Sequence, residues 1–495
     1  MTLLWEKIEQ YASSQAALPA IVGLDKTYSW LELYKLTIEF AQQLQTESSK
    51  AIAFYADNSP AWVIVDLACQ MADVTLLPLP AFFSDQQIRH AIKEAGVTGV
   101  LHHNGDSRLS TLLGLTDQQA LTFSSLGLVF SEIEQPSVLL PKTTAKITFT
   151  SGSTGHPKGV CLSNDQQLRV AISLLSATEL IAPRHLSILP FSTLLENISG
   201  IYSPLLGGGT IIALPPSSLG FNGSNGFELN ALLAAISQYQ PNSMILLPEL
   251  LMALVAAISK GWQPPSSLKF IAVGGSKVSP SLLERAHELG LPVYEGYGLS
   301  ECSSVVSLNS PSDMKLGTIG KVLPHLNVSI EQGEIVVTGN AFLGYINEPN
   351  SWSNSKVYTG DLGRFDENNY LHINGRKKNL LISSYGRNIN PEWVESELLS
   401  SGLLPQVVVF GDAKPYCVAL LYPRDSNTSD EMIQVWIDSI NQTLPSYAQI
   451  KQWTKLTEAM SFNNGLLTSN GRPVRDKIMH HYVKPIEQLY AEDFK

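Results

Sequence analysis

The chain has 495 residues, 44% of them hydrophobic and 16% charged, and a formal net charge of −11. That length exceeds one ordinary core, so two or more domains of a soluble globular protein are expected. The acidic balance argues against a general binder of nucleic acid or of anionic membranes, while leaving room for a small basic pocket that takes a phosphorylated ligand. Cys69, Cys161, Cys302 and Cys417 are scattered and form no CxxC pair; they read as free thiols of a cytoplasmic protein and supply no zinc site. The opening residues lack the basic-then-apolar order of a secretory signal, and apolar runs such as 205–214 are short and broken by glycine, so no integral membrane segment is expected.

Strands and helices alternate through the first part. A strand at 51–55 precedes a helix at 60–71 and a strand at 74–79. A helix at 84–95 precedes a strand at 97–102. Strands at 188–190, 210–214, 243–247 and 270–273 continue the pattern, which predicts an α/β chain with largely parallel sheets. After about residue 316 short strands with turn signals (327–330, 334–337, 370–373) predict a small β-barrel-like subdomain. Beyond the basic cluster Arg376-Lys377-Lys378 a fresh pattern begins: a strand at 380–383, a helix at 391–399, strands at 406–410 and 417–422, and a helix at 430–441. The expected organisation is therefore a large N-terminal domain, 1–377, of two helix-covered sheets plus the barrel-like unit. A small mobile α+β C-terminal domain, 378–495, follows a short hinge near 378.

The richest segment is Thr150-Ser151-Gly152-Ser153-Thr154-Gly155-His156-Pro157-Lys158-Gly159. A strand at 147–150 leads into it, and Ser163-Asn164-Asp165-Gln166 reads as a capping box that opens a helix at 167–180. Glycines let backbone N–H groups turn inward, hydroxyls donate, and Lys158 adds a point charge, so strand, loop and helix together predict a phosphate cradle. The spacing is not that of the Walker loop. Further segments carry chemistry: Tyr297-Gly298-Leu299-Ser300-Glu301 after a strand, Tyr358-Thr359-Gly360-Asp361 on a turn, Gly375-Arg376 at a strand end, and the glycine turn Ser384-Tyr385-Gly386-Arg387 before a helix.

In this order these segments, together with Thr27-Tyr28-Ser29-Trp30 and Asn58-Ser59-Pro60-Ala61-Trp62, resemble the adenylate-forming (AMP-binding) superfamily over nearly the whole chain. The resemblance implies attack of a carboxylate on the α-phosphorus of ATP, release of pyrophosphate, and transfer of the acyl group to a thiol. It implies that Thr150, Ser151, Gly152, Ser153, Thr154, Gly155 and Lys158 hold the β- and γ-phosphates. Glu301 would bind Mg²⁺ and Ser300 the α-phosphate. Tyr297 and Gly298 would face adenine, with Gly275 and Ser276 on the other side. Asp361 would take the ribose hydroxyls, with Arg376 beside it. Gly386 would line the tunnel for the thiol of CoA or of phosphopantetheine on an acyl carrier protein, after the small domain turns about Lys378.

The chain departs from the family's pattern at two places. Thr468-Ser469-Asn470-Gly471-Arg472 carries arginine where the family has its catalytic lysine. Either Arg472 performs that role with altered geometry, or Lys477 reaches the site, or adenylation is slow and the protein is a ligase-inactive nucleotide-binding relative. In Leu189-Pro190-Phe191-Ser192, Ser192 stands where many relatives have histidine. Glu196 is the nearest acid, which disfavours an α-amino acid because an unpaired ammonium in an apolar pocket is costly. The apolar segments Leu194-Leu195, 198–206, Val273 and Val305-Val306 read as an acyl pocket for a medium or long fatty acid, with an aryl acid loaded onto a carrier protein as the alternative.

Overall fold

The computed structural model describes residues 3–46, 49–104, 106–115, 120–123, 126–150, 158–223, 226–468 and 471–491. Among these, the large domain is built on two sheets. A nine-stranded sheet runs Lys321–Val322, Ser304–Leu308, Val293–Leu299, Phe270–Val273, Ser243–Leu246, Arg184–Leu186, Thr210–Ile212, Pro19–Val22, Thr27–Ser29. Its middle is parallel and both edges are antiparallel. An eight-stranded sheet runs Gly344–Tyr345, Lys158–Leu162, Lys146–Thr150, Thr75–Leu79, Ala51–Tyr55, Gly99–His103, Leu128–Glu132, Ala120–Phe123. It is parallel only at its centre, so the expectation of largely parallel sheets holds for the strands that helices connect and fails for the hairpins.

Helices Trp30–Thr46, Pro60–Ala72 and Asn164–Thr178 bury Trp30, Phe40, Trp62 and Val170 in the main core. Ser163 caps the third of these, with its side chain accepting from Gln166 N–H and Gln166 reaching back, as the capping box predicted. Two local expectations fail. The strand expected at 188–190 lies at Arg184–Leu186, because the Leu189 carbonyl and Phe191 N–H are bonded to the Asn58 side chain rather than to a ladder. The helix that starts at Leu194–Glu196 passes into a π-helix, Asn197–Tyr202. This wider turn brings Asn197 and Tyr202, five residues apart, onto one face. There both meet Asp66, whose carboxylate lies 2.6 Å from Lys146 Nζ; Tyr202 OH donates to Asp66 at 2.5 Å. All four side chains are buried, and losing one partner of such a pair costs roughly 3–5 kcal/mol.

The barrel-like unit is instead an open antiparallel sheet, Asn327–Glu331, Glu334–Thr338, Lys356–Phe365, Leu371–Arg376. Its outer strands do not pair, so no barrel closes among the described residues. The small domain carries the three-stranded sheet Gln406–Phe410, Cys417–Tyr422, Ile450–Lys455. Its first two strands are apolar on both faces. Val407, Val409, Ala419 and Leu421 pack under helices Pro391–Leu399 and Asp430–Asn441. Val408, Phe410, Val418 and Leu420 pack under Arg475–His481 and Val483–Ala491. No described helix is long and apolar enough to cross a membrane.

Candidate active site

Thr150 and Lys158 face each other in register at the end of a hairpin, Lys146–Thr150 with Lys158–Leu162. Ser151, Gly152, Ser153, Thr154 and Gly155 lie outside the described residues. The helix opens at Asn164 behind its Ser163 cap, where the capping box places it, and an unforeseen strand, Lys158–Leu162, with Val160, Cys161 and Leu162 buried, runs before it. The strands on either side of residues 151–157 therefore pair antiparallel, and no helix directly follows that segment.

Lys158 Nζ lies 2.8 Å from Glu348 Oε1 and 4.7 Å from the centroid of the Tyr345 ring. Tyr345 OH donates to Glu301 Oε1 at 2.9 Å. Burial, aided by the Glu301 charge, raises the Tyr345 pKa and keeps that proton in place. Glu301 and Ser300 share a tight 3₁₀ turn, Ser300–Cys302, anchored by the buried Cys302 and by Phe342 N–H, which donates to the Glu301 carbonyl. Tyr345 and Glu348 were not foreseen from the sequence. The strand Gly344–Tyr345 pairs with Lys158–Leu162 across a wide sequence gap, and no local pattern announces that contact. No group of three or more His, Cys, Asp or Glu side chains among the described residues is arranged to hold a metal ion. Mg²⁺ held largely by substrate phosphates needs only one or two carboxylates, and Glu301 fits that demand.

A second cluster forms where the nine-stranded and four-stranded sheets meet. Asp361 and Arg376 are cross-strand partners, which sets Arg376 Nε 3.0 Å from Asp361 Oδ1. Tyr297 OH donates to Asp361 Oδ2 at 2.7 Å. Burial raises the Asp361 pKa, with the Arg376 charge opposing. Gly298 is adjacent, and it serves the backbone: a Cβ there would stand 1.5 Å from the Ser304 carbonyl oxygen. Gly275, at φ +87°, and Ser276 are exposed at the edge of this cluster.

Arg472 comes to the same place from the small domain. A turn closed by Thr468 and by Gly471 at φ +74° aims it, and its guanidinium donates to the Gly275 carbonyl. Desolvation and then the Arg376 charge lower its pKa, while Glu392 and Asp361 oppose. Lys477, the other candidate cation, is exposed beside Gly465. Gly386 lies apart, in an exposed turn at φ +73° with no heavy atom of the described residues within 4 Å of its Cβ position; Lys378 is exposed in the turn after Arg376.

The expected acyl-pocket residues are buried, except Leu195 and Ser199, which are partly exposed. Leu194, Ile198, Val305 and Val306 belong to the main core and Val273 to a second one. Glu196 is committed to structure: Oε1 lies 2.9 Å from His185 Nε2, and Oε2 accepts from Leu189 N–H at 3.2 Å. Ser192 is buried.

Residues 8–346 match the AMP-binding enzyme family, and residues 378–493 match the AMP-binding enzyme C-terminal domain. The chain belongs to the AMP-binding enzyme family. It is an AMP-forming acid–thiol ligase of the adenylate-forming superfamily. It is 27% identical over 417 residues to the 2-succinylbenzoate–CoA ligase of Bacillus subtilis, covering 79% of this chain and 82% of that one. It is 22% identical over 596 aligned positions to the human long-chain-fatty-acid–CoA ligase 1, covering 94% and 83%. The structure of an anthranilate CoA ligase with anthranoyl-AMP shares the fold, at a TM-score of 0.80 and 16% identity over 97% of this chain and 98% of that one.

Proposed function

We propose that this enzyme condenses ATP with a compact carboxylic acid of the aryl or short acyl class, and then passes the acyl group to CoA. In the first step a carboxylate oxygen forms a bond to the α-phosphorus while the bond to pyrophosphate breaks. In the second, the thiol sulfur bonds to the acyl carbon and AMP leaves. The observation that carries the reading is the convergence of Tyr297, Asp361, Arg376 and the small domain's Arg472 at Gly275. Tyr297 and Arg376 use one lone pair on each Asp361 oxygen, and the remaining lone pairs suit the ribose hydroxyls. The Tyr297 ring, Gly298, Gly275 and Ser276 then border the base. Ser300 donates to the α-phosphate, and Thr150 through Lys158 hold the outer phosphates.

Mg²⁺ bound with the nucleotide offsets phosphate charge, and Glu301, oriented by Tyr345, is the residue that would hold it. Lys158 exchanges Glu348 for phosphate oxygens on binding. Arg472 sets a fixed positive charge where negative charge builds between carboxylate and phosphate. The division into 1–377 and 378–495, with Lys378 at the hinge and Gly386 on the thiol path after rotation, belongs to this reading. The four cysteines are buried and unpaired, which favours a reducing, cytoplasmic setting.

Burial of Ile198, Val305, Val306 and Val273 favours a compact acid over a long one, since a long channel would leave such residues lining open space. Engagement of Glu196 by His185 disfavours an ammonium-bearing substrate. A medium or long fatty acid is the second reading, supported by the likeness to the long-chain ligase. The test is a panel of aryl, short and long acids with ATP, Mg²⁺ and either CoA or a phosphopantetheinylated carrier protein, with AMP and acyl thioester measured. Thioester from aryl or short acids with CoA is expected. Turnover confined to long chains would select the second reading, acyl transfer to the carrier protein alone would overturn the CoA acceptor, and no AMP with any acid would overturn both acid assignments.

A further inference from the structure

The large-domain segment that receives Arg472 at Gly275 takes a second contact from the small domain a few residues on. Ser279 is the N-cap of helix Pro280–Glu288, yet its side chain makes no capping bond to its own helix. It donates across the interface to Glu397 Oε2 at 3.0 Å. Ser281 Oγ lies 2.6 Å from Ser279 Oγ and 3.3 Å from the same carboxylate oxygen. Two hydroxyls have two protons for three contacts, so the short set has Ser281 donate to Ser279 and Ser279 donate to Glu397. Glu397 sits on helix Pro391–Leu399 of the small domain; it is 8% exposed and Ser279 only 3%. Burial raises the Glu397 pKa, while the hydrogen bonds from Ser279 and Ser281 and the Lys277 charge oppose the rise and Glu284 adds to it.

A carboxylate in so dry a place is costly once its hydrogen bonds are lost. It meets its partners in the same relation between the domains that delivers Arg472 to Gly275. We propose that Glu397 is a positioning residue: docked on Ser279, it holds the small domain in the orientation that puts Arg472 over the reacting groups, and its release lets Arg472 withdraw for thiol transfer. This rests on the acyl-adenylate reading above for its catalytic consequence, but the docking itself is independent of it. Ser279 stands just beyond the Gly275-Ser276 edge of the nucleotide cluster, so movement of that edge and of the domain contact are joined through a few residues of backbone.

The test uses the full-length protein with Glu397→Ala, Glu397→Gln and Ser279→Ala. Amide hydrogen exchange at 279–283 and 391–399 is read alongside exchange in the small-domain sheet at 406–422. Loss of a hydrogen bond to a charged group corresponds to roughly a ten- to hundred-fold change in the docking equilibrium. Glu397→Ala and Ser279→Ala are therefore expected to speed exchange at the docking residues by that order and leave the sheet unchanged. Glu397→Gln, whose amide oxygen still accepts from Ser279, falls between them and the wild type. Acyl-adenylate formation is expected to slow in the alanine variants while thiol transfer from preformed acyl-adenylate holds or rises. Unchanged exchange at 279–283 in Glu397→Ala would overturn the proposal, as would a rise in sheet exchange with both half-reactions falling together. Should the wild type activate no acid, the function proposed above fails, and the exchange pattern alone decides the docking.

Discussion

Replacing Gly298 by alanine places a methyl group where the fold has none to spare. Strand Val293–Leu299 changes register against Ser304–Leu308 between Tyr297 and Gly298. The added Cβ would lie 1.5 Å from the Ser304 oxygen, 2.6 Å from its carbonyl carbon and 2.9 Å from Val305 Cα. All three are backbone, so no rotamer change relieves them; the strands must part by about 2 Å to restore ordinary contact. The partner strand is poorly able to yield, since Ser303 and Ser304 already hold φ of +58° and +100°. Overpacking by side chains costs about 1–3 kcal/mol, and a backbone-to-backbone clash belongs above it, on the order of 4 kcal/mol. Gly386→Ala is the control: no heavy atom of the described residues beyond its chain neighbours lies within 4 Å of its Cβ position, and its φ of +73° opposes the change, at about 1–2 kcal/mol. Thermal unfolding of both variants, with amide exchange across 296–308, measures the difference. Gly298→Ala is also expected to lose adenylation, because Tyr297 and Ser300-Glu301 flank the disturbed bond. A cost no greater than that of Gly386→Ala would refute the close approach.

Arg472→Ala is expected to lower acid-dependent pyrophosphate exchange roughly 10²–10³-fold while stability stays within about 0.5 kcal/mol; unchanged exchange would move the cation role elsewhere, Lys477 first. Tyr345→Phe removes the hydroxyl that orients Glu301, so KM for Mg²⁺-ATP in the first half-reaction should rise roughly tenfold, and an unaltered KM would exclude that orienting role. Burial pushes the Glu295 carboxyl to about 7 from an ordinary 4.5, against Lys277 and the Val278 N–H. The folded state thus keeps its proton where the unfolded chain has lost it. Stability therefore falls as pH rises between those two values, by about 1.4 kcal/mol for each pH step of one. Glu295→Gln should flatten that fall and be more stable than wild type at about pH 8; parallel urea-unfolding profiles for the two proteins would contradict it.

Features carried by near neighbours in the chain were legible beforehand. Ser163 and Gln166 announce their capping box, the alternation of 51–103 announces strand and helix, and the small domain's element order from 391 to 441 reads correctly. Asp361 and Arg376 could be named from motifs because each ends a segment with its own signature. What escaped reading depends on contacts distant in sequence. The strand Lys158–Leu162 exists because the Lys146–Thr150 and Gly344–Tyr345 strands flank it, and five residues of mixed propensity do not reveal that. Tyr345 and Glu348 reach Lys158 and Glu301 only after the eight-stranded sheet has formed. The π-helix at Asn197–Tyr202 is bound to Asp66 and Lys146, both far away in the chain. The apolar residues read as a pocket are equally compatible with core, and burial of Leu194, Ile198, Val273, Val305 and Val306 alone does not separate the two.

The proposed reaction turns on a first step that needs the acid and ATP but no thiol. Exchange of labelled pyrophosphate into ATP by the full-length enzyme, with a substrate acid and without CoA, measures that step alone. Exchange that appears on adding the acid and disappears in its absence is the predicted result. Formation of ADP and phosphate in place of AMP and pyrophosphate, or exchange indifferent to the acid, would contradict it.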